Sequence, residues 1–286
     1  IVYGYTIETG FKPAEPSAGF DNEAQIKAEE LTVDTGRRPH TMMRRKGGLV
    51  SVRGEGGRLE DYPEQAMTSE TALHMLGDAG RFPEISTVRH VIGQWRFYHG
   101  FRSDAGSPLR SPCLPITSPM LEEDGSNIAA VLATLAWTKQ DTIDLDRAVH
   151  DAFSGAALSL PRPADYAEFG LVLPDFPNRI FQPRELSDGQ IRFLALAAAL
   201  LSYRRPPFIA LNEPEASLHP DMLPALAGMI AAASVDSQIW VVTHSQTLAS
   251  AISERCGVRA RTVIRKDGAT WIEGMKLTGE MEGEED

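Results

Sequence analysis

The stretch from Arg184 to Ser245 constrains this chain more than any other. It begins Leu186-Ser187-Asp188-Gly189-Gln190 and runs into a segment where Ile191, Leu194, Ala195, Ala198 and Leu201 fall at helical spacing. Ser187 or Asp188 is the expected N-cap. The first turn of a helix offers free backbone N–H groups and about half a positive charge. Gly189 removes a side chain that would hold an anion away. The helix start therefore reads either as an anion site or as an ordinary capped core helix. Pro206 and Pro207 then stop the helix.

Phe208-Ile209-Ala210-Leu211 is a short continuous apolar run, which suits a parallel strand covered on both faces. Asn212 and Glu213 stand at its C-terminal end, where open α/β sheets bind ligands. There Glu213 is either a carboxylate that polarises a water beside a phosphate or a solvated loop residue. Gln238 to Val242 reads as a second buried strand, with His244 just beyond it. A lone histidine is usually structural. A glutamate and a histidine on two strand ends, both downstream of such a helix start, are harder to dismiss.

Taken in order, these pieces resemble the motifs of ABC-type ATPases. Leu186-Ser187-Asp188-Gly189-Gln190 looks like their signature motif and Phe208 to Glu213 like their Walker B strand. Ser217-Leu218-His219 is placed like the D-loop, and His244 like the switch histidine. The form Glu-Pro-Glu-x-Ser-Leu-His-Pro is similar to the RecF/SMC-like and defence-associated ATPases rather than to transporter subunits. The resemblance covers roughly the last 120 residues well. It implies an α/β fold: a P-loop NTPase, ABC-ATPase-like core with an antiparallel β subdomain and a helical lid. It also implies a homodimer that closes on ATP and Mg2+, in DNA-related or defence processes.

Carried over residue by residue, Glu213 is the general base and Asn212 stands where an aspartate helps hold magnesium. Ser187, Asp188, Gly189 and Gln190 meet the partner's nucleotide, and His244 meets the γ-phosphate. Ser217, Leu218 and His219 line the dimer seam.

Two features depart from that pattern. No Gly-x-x-x-x-Gly-Lys-Ser/Thr phosphate loop occurs, because none of the six lysines follows a glycine. Ile1-Val2-Tyr3-Gly4-Tyr5 already reads as a strand of the β subdomain, so the resemblance implies a segment ahead of Ile1. These 286 residues alone are expected to bind ATP poorly. Asn212 replaces the aspartate, and an uncharged amide oxygen weakens the expected magnesium affinity. Both features leave room for a non-hydrolysing, nucleotide-gated binding module. A transporter ATPase subunit is a third reading, disfavoured by Ser217-Leu218-His219-Pro220.

Bulk properties narrow the remainder. A net charge of −11 gives no global basic field for nucleic acid. Cys113 and Cys256 lie far apart without metal-ligand spacing, as in a reducing cytoplasm. No apolar run approaches the roughly 18 residues of a membrane span. Residues 1–54 are expected to form the antiparallel β subdomain and 55–160 a helical lid region with a loop over 101–120. Residues 161–277 are expected to form the C-terminal half of the ATPase, and 278–286 a disordered acidic tail.

Within the first of these, Thr41–Lys46 and Leu49–Arg53 read as a hairpin. Arg37, Arg38, Arg44, Arg45 and Lys46 make a local basic cluster. It either touches nucleic-acid phosphates or blunts an edge strand, the second being favoured. Ser69 is the expected cap of one helix and Pro83 the start of another. No long heptad run emerges from the lid, which argues against a ring-forming SMC arm. No further acidic constellation suggests a fused nuclease, so a nuclease or effector partner would be a separate chain.

Overall fold

The computed structural model describes residues 1–11, 23–36, 38–54, 56–266 and 268–276. The expectations for Arg37 and for the 278–286 tail lie outside the described residues. The chain divides into two units, Ile1–Gln94 and Trp95–Asp286, and each has its own apolar core.

The first unit is an antiparallel meander of β1 (Val2–Gly10), β2 (Gln25–Asp34), β3 (His40–Lys46), β4 (Leu49–Arg53) and β5 (Leu59–Asp61), paired in that order. The Gly47-Gly48 turn closes the expected hairpin, and Gly47 takes a φ of +58° that a side chain would disfavour. Alternation places Leu31, Met43, Val50 and Val52 on one buried face. They pack with Leu73 and Leu76 around α1 (Ala72–Met75) and with Ile85 and Val88 of α2 (Pro83–Gly93). Pro83 opens α2 as expected, but α1 is capped by Thr71 and not by Ser69.

The basic cluster divides in a way that neither reading foresaw. Strand β3 lies in the middle of the sheet, so it is no edge to be blunted. Arg45 is fully buried beside an equally buried Glu29, its cross-strand neighbour, with Nη1 to Oε2 at 3.1 Å. The same guanidinium donates to the carbonyls of Gly47 at 2.6 Å and Met67 at 2.8 Å, and to that of Glu70. Glu29 also accepts from Tyr5 Oη at 2.7 Å and from the N–H of Ala72 at 2.7 Å. Burial and the Glu29 carboxylate hold the Tyr5 phenol far above its ordinary pKa. Arg45 is thus unavailable to phosphates, and Arg44 is engaged by Glu30 at 2.6 Å.

The second unit opens with β6 (Arg96–Tyr98), followed by α3 (Ile128–Thr134), which continues as a π turn over Leu135–Lys139, and α4 (Ile143–Ala152). A small antiparallel sheet follows, β7 (Ala157–Ser159), β8 (Gly170–Val172) and β9 (Ile180–Phe181). It delivers the chain to α5 (Asp188–Leu201). Then come β10 (Phe208–Asn212), α6 (Leu223–Ala233), β11 (Gln238–Val242), α7 (Gln246–Cys256) and the terminal hairpin β12 (Val263–Lys266) and β13 (Ala269–Ile272). Helices α3, α4 and α6 pack on α5. From Phe193 to Leu201 every residue of α5 is buried, so this helix is enclosed on all sides and only its first turn and Arg192 surface.

Strands β11, β10 and β6 form a parallel sheet in that order. One face carries Ile209, Leu211 and Tyr98 into the core. On the other, Phe97, Ala210 and Trp240 lie in register across the three strands, and Trp240 is 58% exposed. The expectation that β10 is covered on both faces and that β11 is fully buried is therefore corrected. Ile239 and Val241 point inward, and Trp240 and Val242 do not. Apolar composition shows that a strand can be covered, and among the described residues the second face is covered only in part, with Phe208 and Ala210 half-buried and Trp240 exposed.

Candidate functional site

Two groups of residues stand at the C-terminal end of the parallel sheet and at the start of α5. At the sheet end, β10 and β11 finish side by side, with Asn212 opposite Val242. The N–H of Glu213 donates to the Val242 carbonyl at 2.7 Å, which ties the two exits together. Glu213 then turns at φ +45°, a left-handed conformation that costs a non-glycine residue about 1–3 kcal/mol and gathers at functional sites. This turn brings Glu213 Oε1 to 3.2 Å from His244 Nε2. Both side chains remain open to solvent, the glutamate at 47% and the histidine at 84%. Two parallel strands ending level are the cause, since residues just beyond each end must be neighbours.

Glu215 was read from sequence only as a letter of the Glu-Pro-Glu run. Its Oε1 accepts from Thr243 Oγ1 at 2.6 Å, from the N–H of His244 at 2.9 Å and from that of Ser245 at 3.1 Å. Ser245 in turn caps α7 by accepting from the N–H of Leu248 at 3.2 Å. No periodicity signals this role, because it depends on the register of β10 against β11.

At the other group, Ser187 is the N-cap of α5 and forms a reciprocal box with Gln190. Ser187 Oγ accepts from the N–H of Gln190 at 3.2 Å, and Gln190 Oε1 accepts from the N–H of Ser187 at 2.9 Å. Ser187 and Asp188 are exposed. The turn before them is held by Arg110, from the 101–120 stretch in which sequence showed no structure. Arg110 donates to the carbonyls of Pro183 and Leu186, each at 2.7 Å, and to Asp188 Oδ1 at 2.8 Å, with its own side chain only 8% exposed. Glu185 accepts from the N–H of Gln182 and from Arg179, and these donors hold its carboxyl below the ordinary carboxylate range.

Gly189 has a reason other than space for an anion. A Cβ there would sit 2.6 Å from the carbonyl oxygen of Ser217. Segment 216–218 lies against the first turn of α5, and Arg192 Nη1 fastens it, donating to the Ala216 carbonyl at 3.0 Å and to Ser217 Oγ at 3.2 Å. Ser217 itself adopts φ +66°. Leu218 donates its N–H to the Glu215 carbonyl at 3.0 Å, and His219 caps the turn Pro220–Met222 through Nδ1. Replacing Gly189 by Ala is expected to push this loop aside or to cost about 1–3 kcal/mol of stability, as overpacking does. A crystal structure and a thermal melt of Gly189→Ala check it, and an unchanged loop with an unchanged melt would contradict it.

The predicted site residues thus fall into two pairs of neighbours. Glu213 meets His244, and the 187–190 turn meets the 216–218 loop. The turn from Glu213 to Leu218 joins them through the N–H of Ala216 to the Glu213 carbonyl at 3.0 Å. For a metal, the strand end offers the Asn212 amide and one carboxylate, and among the described residues no cluster of three His, Cys, Asp or Glu side chains could hold an ion. That donor set fits a Mg2+ ion brought by phosphate groups and not one caged by protein.

Residues 58–250 match the family described as AAA domain, putative AbiEii toxin, Type IV TA system. The chain belongs to this AAA family. The fold is accordingly that of a P-loop ATPase domain. A curated relative, the thiamine import ATP-binding protein ThiQ of Chelativorans sp. (strain BNC1), is 37% identical over 90 residues, which is 31% of this chain and 36% of ThiQ. The chain thus spans about a third of that relative's length.

Among solved structures, the SMC head domain from Thermotoga maritima aligns over 87% of this chain and 74% of its own, at 14% identity and a TM-score of 0.39. The Smc head of Pyrococcus furiosus with an extended coiled coil, bound to the C-terminal domain of ScpA, aligns over 88% and 78%, at 13% and 0.41. Of the Pyrococcus yayanosii Smc head with a coiled coil and joint, 27% is covered, at 19% identity and a TM-score of 0.36. No described helix of this chain is long and apolar enough to cross a membrane.

Proposed function

We propose that this domain binds ATP between two copies of itself and hydrolyses it, so that nucleotide closes and turnover opens the dimer. The observation that carries the reading is the approach of Glu213 Oε1 to His244 Nε2 at 3.2 Å, at the end of two parallel strands and on a left-handed glutamate. Glu213 accepts the proton of the attacking water while that oxygen forms its bond to the γ-phosphorus and ADP departs. His244 holds one γ-phosphate oxygen and keeps the Glu213 carboxylate oriented. Asn212 would meet a Mg2+ ion carried by the nucleotide, which would supply charge neutralisation at the phosphates. The exposed start of α5, with Ser187, Asp188, Gly189 and Gln190, meets the nucleotide of the partner copy. Ser217, Leu218 and His219, fastened to that turn, lie at the seam.

The motif that would wrap the β-phosphate does not occur in these residues, so the test uses the whole encoded protein. Light scattering should show its mass doubling with Mg-ATP and returning to that of the monomer with Mg-ADP. A single mass under both conditions would contradict the proposal. The toxin–antitoxin wording of the same AAA description supports a role in defence.

Asn212 favours a second reading, a module that binds nucleotide and scarcely hydrolyses it. Replacing Asn212 by Asp restores a negative ligand and is expected to lower the Mg2+ concentration needed for half-maximal turnover several-fold. A magnesium titration of both proteins checks this, and identical curves would remove Asn212 from the metal's surroundings. The likeness to ThiQ keeps a transporter subunit in view, although Ser217-Leu218-His219-Pro220 argues against it.

A further inference from the structure

We infer that Glu215 is a positioning residue that sets His244 against Glu213, an inference that rests on the proposed ATPase reading. His244 lies two residues past the end of β11, and its ring is exposed, so ring packing does little to hold it. Its place must come from its backbone. That backbone is held by one carboxylate oxygen, Glu215 Oε1, which takes the N–H of His244, the N–H of Ser245 and the hydroxyl of Thr243. Hydrogen bonds to an ionised acceptor are short and roughly twice as strong as neutral ones. Thr243 Oγ1 also accepts from the N–H of Ser245 at 2.9 Å, which closes the turn on itself.

The other side of the clamp is equally fixed. Glu215 lies in the turn that begins at Glu213, whose N–H is bonded to Val242. The base and its clamp therefore belong to one turn and the histidine to the next, and Glu215 spans the gap between them. Its second oxygen, Oε2, is buried and makes no hydrogen bond among the described residues. A buried carboxylate oxygen without a partner costs free energy. Keeping a carboxylate here fits a need for the charge-assisted grip at Oε1.

The test uses the whole encoded protein in four forms: unchanged, Glu215→Ala, His244→Ala, and both together. Glu215→Gln, which keeps an acceptor oxygen at the same reach, is the variant that folds if the alanine form does not. Two readouts are taken, ATP turnover and amide hydrogen exchange over residues 243–248. Glu215→Ala is expected to lower kcat at least about tenfold with little change in KM, and to speed exchange at His244 and Ser245. In the His244→Ala background it should cost no further turnover, because a residue that acts through another adds nothing once that one is gone. Glu215→Gln should recover much of the loss.

Unchanged exchange would overturn the clamp. Faster exchange with an equal further loss of turnover in the His244→Ala background would make Glu215 a structural brace only. If the unchanged protein shows no ATP turnover, it is the ATPase reading that fails, and this inference falls with it.

Discussion

Replacing Glu213 by Gln is expected to slow ATP turnover by at least about a hundredfold, the worth of a lost general base. The change is nearly isosteric. It keeps an oxygen that can face His244 Nε2 and leaves the backbone bond from Glu213 to Val242 in place. What it removes is the proton acceptor and its negative charge. Binding should therefore survive while chemistry stops, and the ATP-bound dimer should accumulate. Rapid-quench single turnover measures the chemical step, and light scattering measures the trapped dimer. A Glu213→Gln protein that hydrolyses within a factor of two of normal would show that the base is elsewhere. A protein that no longer binds ATP would show that Glu213 holds the nucleotide instead of acting on it.

The second large effect belongs to the first unit. Arg45→Ala should cost about 3–5 kcal/mol, because it leaves Glu29 charged, buried and without its counter-ion. Both side chains are wholly excluded from solvent. Removing Arg45 also leaves the carbonyls of Gly47, Met67 and Glu70 without a donor. A loss of that size is a large fraction of the roughly 5–15 kcal/mol that holds a typical domain together.

The pair itself need not be stabilising. Its two charges had to leave water, and a well-packed apolar replacement of both is often neutral or better. Arg45→Met with Glu29→Met should therefore be much more stable than Arg45→Ala alone. Urea unfolding read through amide exchange in β2 and β3 reports on this unit. A cost below about 1 kcal/mol for Arg45→Ala would mean that the pair behaves as if it were at the surface.

The contrast between Arg45 and its neighbours shows what the sequence could and could not reveal. A run of Arg44, Arg45 and Lys46 reads as a solvated patch by composition. Period-two alternation from Met43 points Arg45 inward, and Glu29 beside Leu31 is the matching inward charge on the next strand. A complementary pair at two inward positions was the available signal, and it needs the register of β2 on β3 to be recognised.

The start of α5 was legible because capping is local. Ser187 and Gln190 lie three residues apart and satisfy each other. Strands β10 and β11 were legible as apolar runs, but their partly covered face was not, since nothing local says what lies across a sheet. Arg110 and Glu215 escaped for another reason. Each acts on backbone groups distant in sequence, Arg110 on Pro183 and Leu186, Glu215 on His244 and Ser245. Gly189 was noticed, but its packing neighbour was not, because the loop that crowds it begins 27 residues later, at Ala216.

The most direct test of a site shared between copies is turnover by mixed dimers of the whole encoded protein. Glu213→Gln in one copy and Ser187→Arg in the other are each expected to be inactive alone. In a dimer with twofold symmetry, mixing them pairs an intact Glu213 with an intact Ser187 at one of the two sites. Half of the dimers formed at random are mixed, so activity should return to about a quarter of normal. A mixture as inactive as its parts, once exchange of subunits has been verified, would mean that Ser187 and Glu213 do not serve one nucleotide from opposite copies.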